Sequence, residues 1–141
     1  MSFGRQKQGV MRRMLAGKIH RLRVTHADLE YEGSLTLSPE LLGASGIHPY
    51  EAISVWNVTR GSRFETYAIK GELGSGDVCV NGAAAHHAGP GDIIIVAAFA
   101  DVPDELVSSW HAEIVFVDAA NRLLAVRPEL PGPQQRLAGH S

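Results

Sequence analysis

The chain of 141 residues contains a single cysteine, Cys79, few aromatic residues (6%) and almost no net charge (−2). Each scarcity excludes something. One thiol makes no internal disulfide and no cysteine-based zinc site by itself, and it suits a reducing compartment, the cytoplasm. A charge so close to zero creates no global field calling for nucleic acid. The longest unbroken apolar run covers residues 93–100, whereas a membrane-spanning helix needs roughly 20 residues. The first residues also lack an apolar stretch of signal-peptide type. What is present is a 45% hydrophobic, 20% charged composition, with 15 Gly and 7 Pro. That describes one globular domain of short elements joined by many turns, not a coiled coil, a low-complexity chain or a disordered one.

The cations are unevenly spread. Arg5, Lys7, Arg12, Arg13, Lys18, Arg21 and Arg23 all precede the first acid, Asp28. They read either as a solvated basic leader followed by a strand with a wet face, or as cations of which one or two line an anion-binding pocket.

Hydrophobic periodicity predicts a flexible leader over residues 1–13, one domain over 14–127 and a flexible Pro-rich tail over 128–141. Strand-like alternation runs over 19–24 and 29–32, further short strands read at 35–37, 52–57, 66–70, 78–81 and 93–98, and 111–117 and 123–126 are expected to finish the core. Ser38-Pro39-Glu40 starts a short helix, with Ser as N-cap and Pro where its missing N–H costs nothing, and Gly46 stops it. A helical turn is expected within 101–110. Many short strands with one or two small helices predict a mainly β fold of barrel type.

Three Gly-Ser dipeptides occur. Gly61-Ser62 and Gly74-Ser75 lie in polar turns, where both residues are expected. Gly33-Ser34 differs, because Tyr31-Glu32-Gly33-Ser34-Leu35 joins two strand-like runs without Pro, Asn or Asp. It reads as a hairpin turn or bulge, or as a self-cleaving link. In the second reading the Ser34 hydroxyl attacks the Gly33 carbonyl, which glycine shields least and allows into unusual geometry. The resulting ester eliminates to dehydroalanine. Hydrolysis then releases ammonia and leaves a pyruvoyl ketone able to form a Schiff base with an amino acid and withdraw electrons from its α-carbon.

Lys18-Ile19-His20-Arg21, Val24-Thr25-His26-Ala27-Asp28-Leu29 and Tyr31-Glu32-Gly33-Ser34 resemble the start of the pyruvoyl-dependent aspartate 1-decarboxylase family. Further blocks follow in the family's order: Glu51-Ala52-Ile53, Val55-Trp56-Asn57-Val58-Thr59, Gly61, Arg63-Phe64, Thr66-Tyr67-Ala68-Ile69, Val80-Asn81-Gly82-Ala83-Ala84-Ala85-His86, Gly91-Asp92-Ile93 and Pro103-Asp104-Glu105. Together they cover roughly residues 14–126. The resemblance implies a double-psi β-barrel assembled as a homotetramer with active sites between subunits. It implies decarboxylation of L-aspartate to β-alanine and carbon dioxide for pantothenate and coenzyme A supply. Gly33 and Ser34 would form the processing site, with Ser34 becoming the covalent pyruvoyl cofactor.

The same resemblance makes Tyr67 the proton donor to the α-carbon. Thr66 would contact substrate and help organise cleavage, and the backbone of Gly82, Ala83 and Ala84 would contact substrate. Lys18, Trp56 and Arg63 become pocket residues, and Asn81 a neighbour of the pyruvoyl group. The chemistry is sensible. A guanidinium such as Arg63 is suited to the side-chain carboxylate, and a weakly acidic phenol must be well placed to protonate a carbanion-like carbon. Without the resemblance, Tyr67 reads as a half-buried sheet residue, Arg63 as a solvated turn residue and residues 82–85 as a tightly packed strand end. Cys79 reads as a small core residue, and His20 and His26 as supports of site or core. His86-His87 makes no chelate, since neighbours on a strand face opposite ways, and no metal is expected.

Two departures stand out. Glu30 occupies a position where a bacterial relative carries His, which bears on cleavage efficiency and on any need for a maturation factor. The leader before Met14 is longer than usual, with Met11 and Met14 as alternative starts. Two other readings compete: a non-catalytic barrel whose basic first 23 residues bind nucleic acid or an acidic protein, and pyruvoyl chemistry on a different substrate such as glutamate.

Overall fold

Short alternating or continuous apolar runs set the strands of the computed structural model, which describes residues 7–133. They are β1 (Met11–Arg23), β2 (His26–Asp28), β3 (Ser34–Leu37), β4 (Ala52–Asn57), β5 (Arg63–Lys70), β6 (Cys79–Asn81), β7 (Ile93–Pro103), β8 (Glu113–Val117) and β9 (Leu123–Val126). One helix, α1 (Pro39–Ser45), and two 3₁₀ turns, Gly82–His86 and Asp104–Ser109, complete the described elements. The strands pair in the order β2-β6-β3-β5-β4-β7-β1-β8-β9. Pairing is parallel for β1 with β8, β2 with β6 and β3 with β5, and antiparallel elsewhere. The fold is mainly β, as the sequence predicts, and its mixed pairing is consistent with a double-psi β-barrel.

Local chemistry explains the elements. The Ser38 hydroxyl accepts a hydrogen bond from the Leu41 N–H (3.3 Å), Pro39 opens α1, and Gly46 closes it at φ 73°. Such a cap contributes about 1 kcal/mol. In β4 the residues Ile53, Val55 and Asn57 are buried while Ala52, Ser54 and Trp56 are not, the period-2 signature of a strand with one covered face. Ile53 and Val55 join Ile19, Leu35, Val80 and Val96 in the core, where each such side chain contributes about 1.5–3 kcal/mol.

The structure departs from the sequence expectations in several places. The leader ends sooner, because Met11, Arg12 and Arg13 already belong to β1, opposite Pro103, Val102 and Asp101 of β7. Arg12 also pairs with Asp104 at 2.8 Å. Residues 1–6 of the leader and 134–141 of the tail lie outside the described residues. Residues 29–32 form no strand. The Asp28 carboxylate accepts from the Glu30 N–H (3.0 Å) and folds them into a turn. Residues 82–85 wind into a 3₁₀ turn instead of ending a strand. Cys79 is half-buried, not a core residue, and burial pushes its thiol pKa up.

Asp92 ties three strand ends together. Its side chain accepts from Arg60 Nε at 2.7 Å, Asn57 Nδ2 at 2.9 Å and the Gly89 N–H at 2.9 Å, and its carbonyl accepts from the Val24 N–H at 2.9 Å. Burial alone would raise its pKa, but these donors outweigh it and hold the carboxyl below its ordinary value. A depressed folded-state pKa stabilises the fold above the unfolded value, near 3.9 by model peptides, and that stabilisation disappears as pH falls through the folded value. The substitution Asp92→Asn is therefore expected to cost about 2–3 kcal/mol at neutral pH. In urea unfolding at a series of pH values, the gap from the wild type should narrow as the medium becomes acidic below about pH 4.

Candidate active site

Ser34 and Asn81 face one another in the antiparallel β3–β6 pair. Both are buried, Ser34 to 1% exposure. The Asn81 side-chain amide donates to Ser34 Oγ at 3.3 Å and to Thr36 Oγ1 at 3.2 Å. Gly33, one residue earlier, is exposed, so the Gly33–Ser34 link crosses from solvent into the sheet within one peptide.

Gly82 presses on that link. It sits at φ 68°, where a side chain is strained, and a Cβ there would stand 2.6 Å from Gly33 Cα, 2.8 Å from Gly33 N and 3.1 Å from the Tyr31 carbonyl oxygen. Only a residue without Cβ permits this approach. Ala83 is exposed and Ala84 half-buried in the same 3₁₀ turn, and the turn packs against β2, β5 and β6.

Register brings Tyr67 to the same neighbourhood. Leu35 pairs with Ala68 in the parallel β3–β5 ladder, and both are fully buried. The preceding residues, Ser34 and Tyr67, are therefore neighbouring register positions on the opposite face. Tyr67 is 38% exposed. Its ring stacks on that of Tyr50, with centroids 6.3 Å apart and planes at 28°. Thr66 alternates to the face of its partner Ile53, which is buried, and no hydrogen bond joins Thr66 to residues 33 or 34 among the described residues.

The implied pocket cations stand apart from Ser34. Arg63 and Trp56 pair across β4–β5 on the face that also carries Tyr67, with the guanidinium 4.9 Å from the indole centroid. Together with Ser54, Phe64, Glu65 and Phe99 they line an open depression. Arg63 and Tyr67 are four positions apart along β5, roughly 13 Å. Arg63 has no carboxylate partner among the described residues, so its fork is free to take an anion. Lys18 lies on β1, with three strands (β5, β4 and β7) between it and β3. It pairs with Glu129 at 3.1 Å beside His20, whose pKa is lowered by burial first and then by Lys18 and Arg21. His20 packs edge-on against Phe116. His86 ends the 3₁₀ turn, and His87 stacks on Phe64 at 5.7 Å.

Sequence reasoning did not single out Thr36 or Tyr50. Thr36 was legible in principle, being two residues from Ser34 and hence on its face of the strand. Tyr50 carries no sequence signal, since nothing in His48-Pro49-Tyr50-Glu51 announces a left-handed tyrosine (φ 72°).

The fold thus presents a buried serine directly after an exposed glycine, an outward tyrosine at the neighbouring register position, and an arginine without a carboxylate partner among the described residues further along the same strand. The aspartate decarboxylase family profile matches residues 10–124. The chain is 56% identical over 126 residues to aspartate 1-decarboxylase of Legionella pneumophila (strain Lens), covering 89% of this chain and 95% of that protein. It is 58% identical over 125 residues to the Rhodopirellula baltica protein of the same name, covering 89% and 80%. For the Myxococcus xanthus protein, again an aspartate 1-decarboxylase, the figures are 52% over 130 residues, 91% and 100%. The chain belongs to the aspartate decarboxylase family and is an enzyme of the decarboxylase class.

The Gly82 geometry makes a direct stability prediction. Gly82→Ala adds left-handed strain and a clash with backbone that has no flexible end to give way, for an expected loss of about 2–4 kcal/mol. Gly43, with nothing within 4 Å of its added Cβ and an ordinary helical φ, is the matched control. Gly43→Ala should hold or raise the urea midpoint, while Gly82→Ala lowers it.

Proposed function

We propose that this chain decarboxylates L-aspartate to β-alanine and carbon dioxide, after cutting itself between Gly33 and Ser34, in supply of pantothenate and coenzyme A in the cytoplasm. The observation that carries the reading is the Ser34 cluster: a buried hydroxyl held by Asn81, with the Gly82 backbone against Gly33. In the cleavage, Ser34 Oγ bonds to the Gly33 carbonyl carbon and the Gly33–Ser34 C–N bond breaks, giving an ester of Gly33 on Ser34 Oγ and freeing the Ser34 amine. Elimination releases residues 1–33 with a terminal carboxylate, and hydrolysis of the remaining dehydroalanine expels ammonia.

The residues fit a pyruvoyl group at position 34. Asn81 sets an amide donor beside the residue that would carry the group, and residue 82 presents backbone without a side chain next to it. When formed, that group supplies a ketone that condenses with the substrate amine and withdraws electrons from the α-carbon. Arg63, free of carboxylate partners, clamps the side-chain carboxylate. The backbone of residues 82–84 lies along the substrate, and Tyr67 returns a proton to the α-carbon after carbon dioxide leaves.

Arg63, Trp56 and Lys18 are held far from Ser34 within one chain, which supports a homotetramer in which a neighbouring copy completes each site. Thr66 serves as a substrate contact and cleavage organiser in that assembled site. The alternative of a nucleic-acid-binding barrel draws no support from a buried Ser34 cluster.

Denaturing mass spectrometry of the purified chain after incubation tests the reading. Two fragments, ending at Gly33 and beginning with a pyruvoyl at position 34, are expected. Persistently intact chain, alone and with a host extract able to supply a maturation factor, would refute self-cleavage. Ser34→Ala should remain one uncut chain and release no carbon dioxide from aspartate. Tyr67→Phe should still be cut, yet turn over on the order of a hundredfold more slowly.

A further inference from the structure

Tyr50 lies in the loop between α1 and β4, 81% exposed, with φ 72°. A bulky side chain is disfavoured there, whereas Gly or Asn would adopt the conformation readily. Burial does not hold it in place; a set of hydrogen bonds does. The Tyr50 N–H donates to the Ala68 carbonyl at 2.7 Å, and the Ala68 N–H donates to the Glu51 carbonyl at 3.0 Å. The Glu51 N–H donates to the His48 carbonyl at 3.0 Å, and the Glu51 carboxylate accepts from the His48 N–H at 2.9 Å. The loop is thus clamped onto β5 at the residue following Tyr67, and the clamp sets the Tyr50 ring against the Tyr67 ring.

Among the described residues the Tyr67 hydroxyl has no hydrogen-bond partner, and Tyr50 is the one aromatic neighbour of its ring. A phenol that must deliver a proton to one carbon depends on a fixed ring, and here the restraint comes through stacking. Strained backbone persists where its surroundings over-determine it, often beside working residues. We propose that Tyr50 is a positioning residue for Tyr67: it narrows the orientations of the Tyr67 ring and thereby raises the rate of proton return. This rests on the reading of Tyr67 as proton donor.

The test uses self-cleaved, full-length Tyr50→Asn, Tyr50→Gly, Tyr50→Phe and Tyr67→Phe, with rates normalised to the cleaved chain measured by mass. Tyr50→Asn should lower kcat about three- to tenfold, the scale of one aromatic pair, with KM for aspartate within about twofold and the thermal midpoint held or raised. Tyr50→Phe keeps the stack and should retain the wild-type kcat and pH profile. Wild-type kcat in Tyr50→Asn, or a change confined to KM, would overturn the assignment. So would an equal loss in Tyr50→Phe, which would implicate the hydroxyl. A fall in kcat that tracks a fall in thermal midpoint across Tyr50→Asn and Tyr50→Gly would overturn it as well. Tyr67→Phe separates the two levels. If it is slow while Tyr50→Asn is normal, only the positioning role fails; if it has full activity, the proton-donor reading fails.

Discussion

The organisation of the site depends on one close approach, the backbone of Gly82 against Gly33. Neither residue has a Cβ, and at Gly82 even a methyl group would stand 2.6 Å from the Gly33 Cα. Remove that clearance and the 3₁₀ turn must lift from the loop. Asn81, the residue before Gly82, would then lose the register that sets its amide on Ser34 Oγ. A left-handed glycine directly after a strand also lets the chain leave β6 sharply, so that residues 82–84 cross over the peptide link and do not continue along the sheet. The same absence of side chains lets the turn lie directly against the Gly33 backbone.

The face of the β4–β5 ribbon extends this arrangement without joining it. Tyr67, Trp56 and Arg63 sit on one face by strict alternation, yet the strand spreads them over four residues. Lys18 is removed further, and its charge is already matched by Glu129. Ser34, buried beside Asn81, and Arg63, without a carboxylate partner among the described residues, are therefore held apart within the single chain. The first is desolvated in the sheet, whereas the second faces outward from the ribbon, open to an anion from outside the chain.

Much of the fold was legible because it follows local rules. Ser38-Pro39 and Gly46 bracket α1 at the expected residues, β4 falls where alternation puts it, and Gly33-Ser34 stands out from the two turn-bound Gly-Ser pairs; β9 has the expected bounds but leaves Leu123, Leu124 and Val126 exposed, not in the core. Failures came where tertiary partners override local pattern. Met11, Arg12 and Arg13 look like tail until β7 offers them a ladder, and residues 29–32 alternate like a strand until the Asp28 carboxylate captures the Glu30 N–H. Residues 82–85, all small, carry no period, so their winding into a turn is settled by the surfaces of β2, β5 and β6. For the site, residue identities came from the family resemblance. The stack of Tyr50 on Tyr67 arises from loop hydrogen bonds to Ala68 that no spacing announces.

Comparison of two buried polar groups shows what kind of group Ser34 is. Asp92 accepts from three donors at 2.7–2.9 Å, which leaves it a fixed structural anchor. Ser34 has one partner at 3.3 Å, and that amide is shared with Thr36. The oxygen is thus desolvated but weakly held, and its own proton goes to no partner among the described residues. A hydroxyl without a base in contact is a poor nucleophile, so activation by a neighbouring base is not what this arrangement provides. What it does provide is confinement. The link runs from exposed Gly33 to buried Ser34 with the Gly82 backbone against it, which limits how the hydroxyl and the preceding carbonyl can move apart. Proximity of this kind is what accelerates an intramolecular attack where no strong base is in contact.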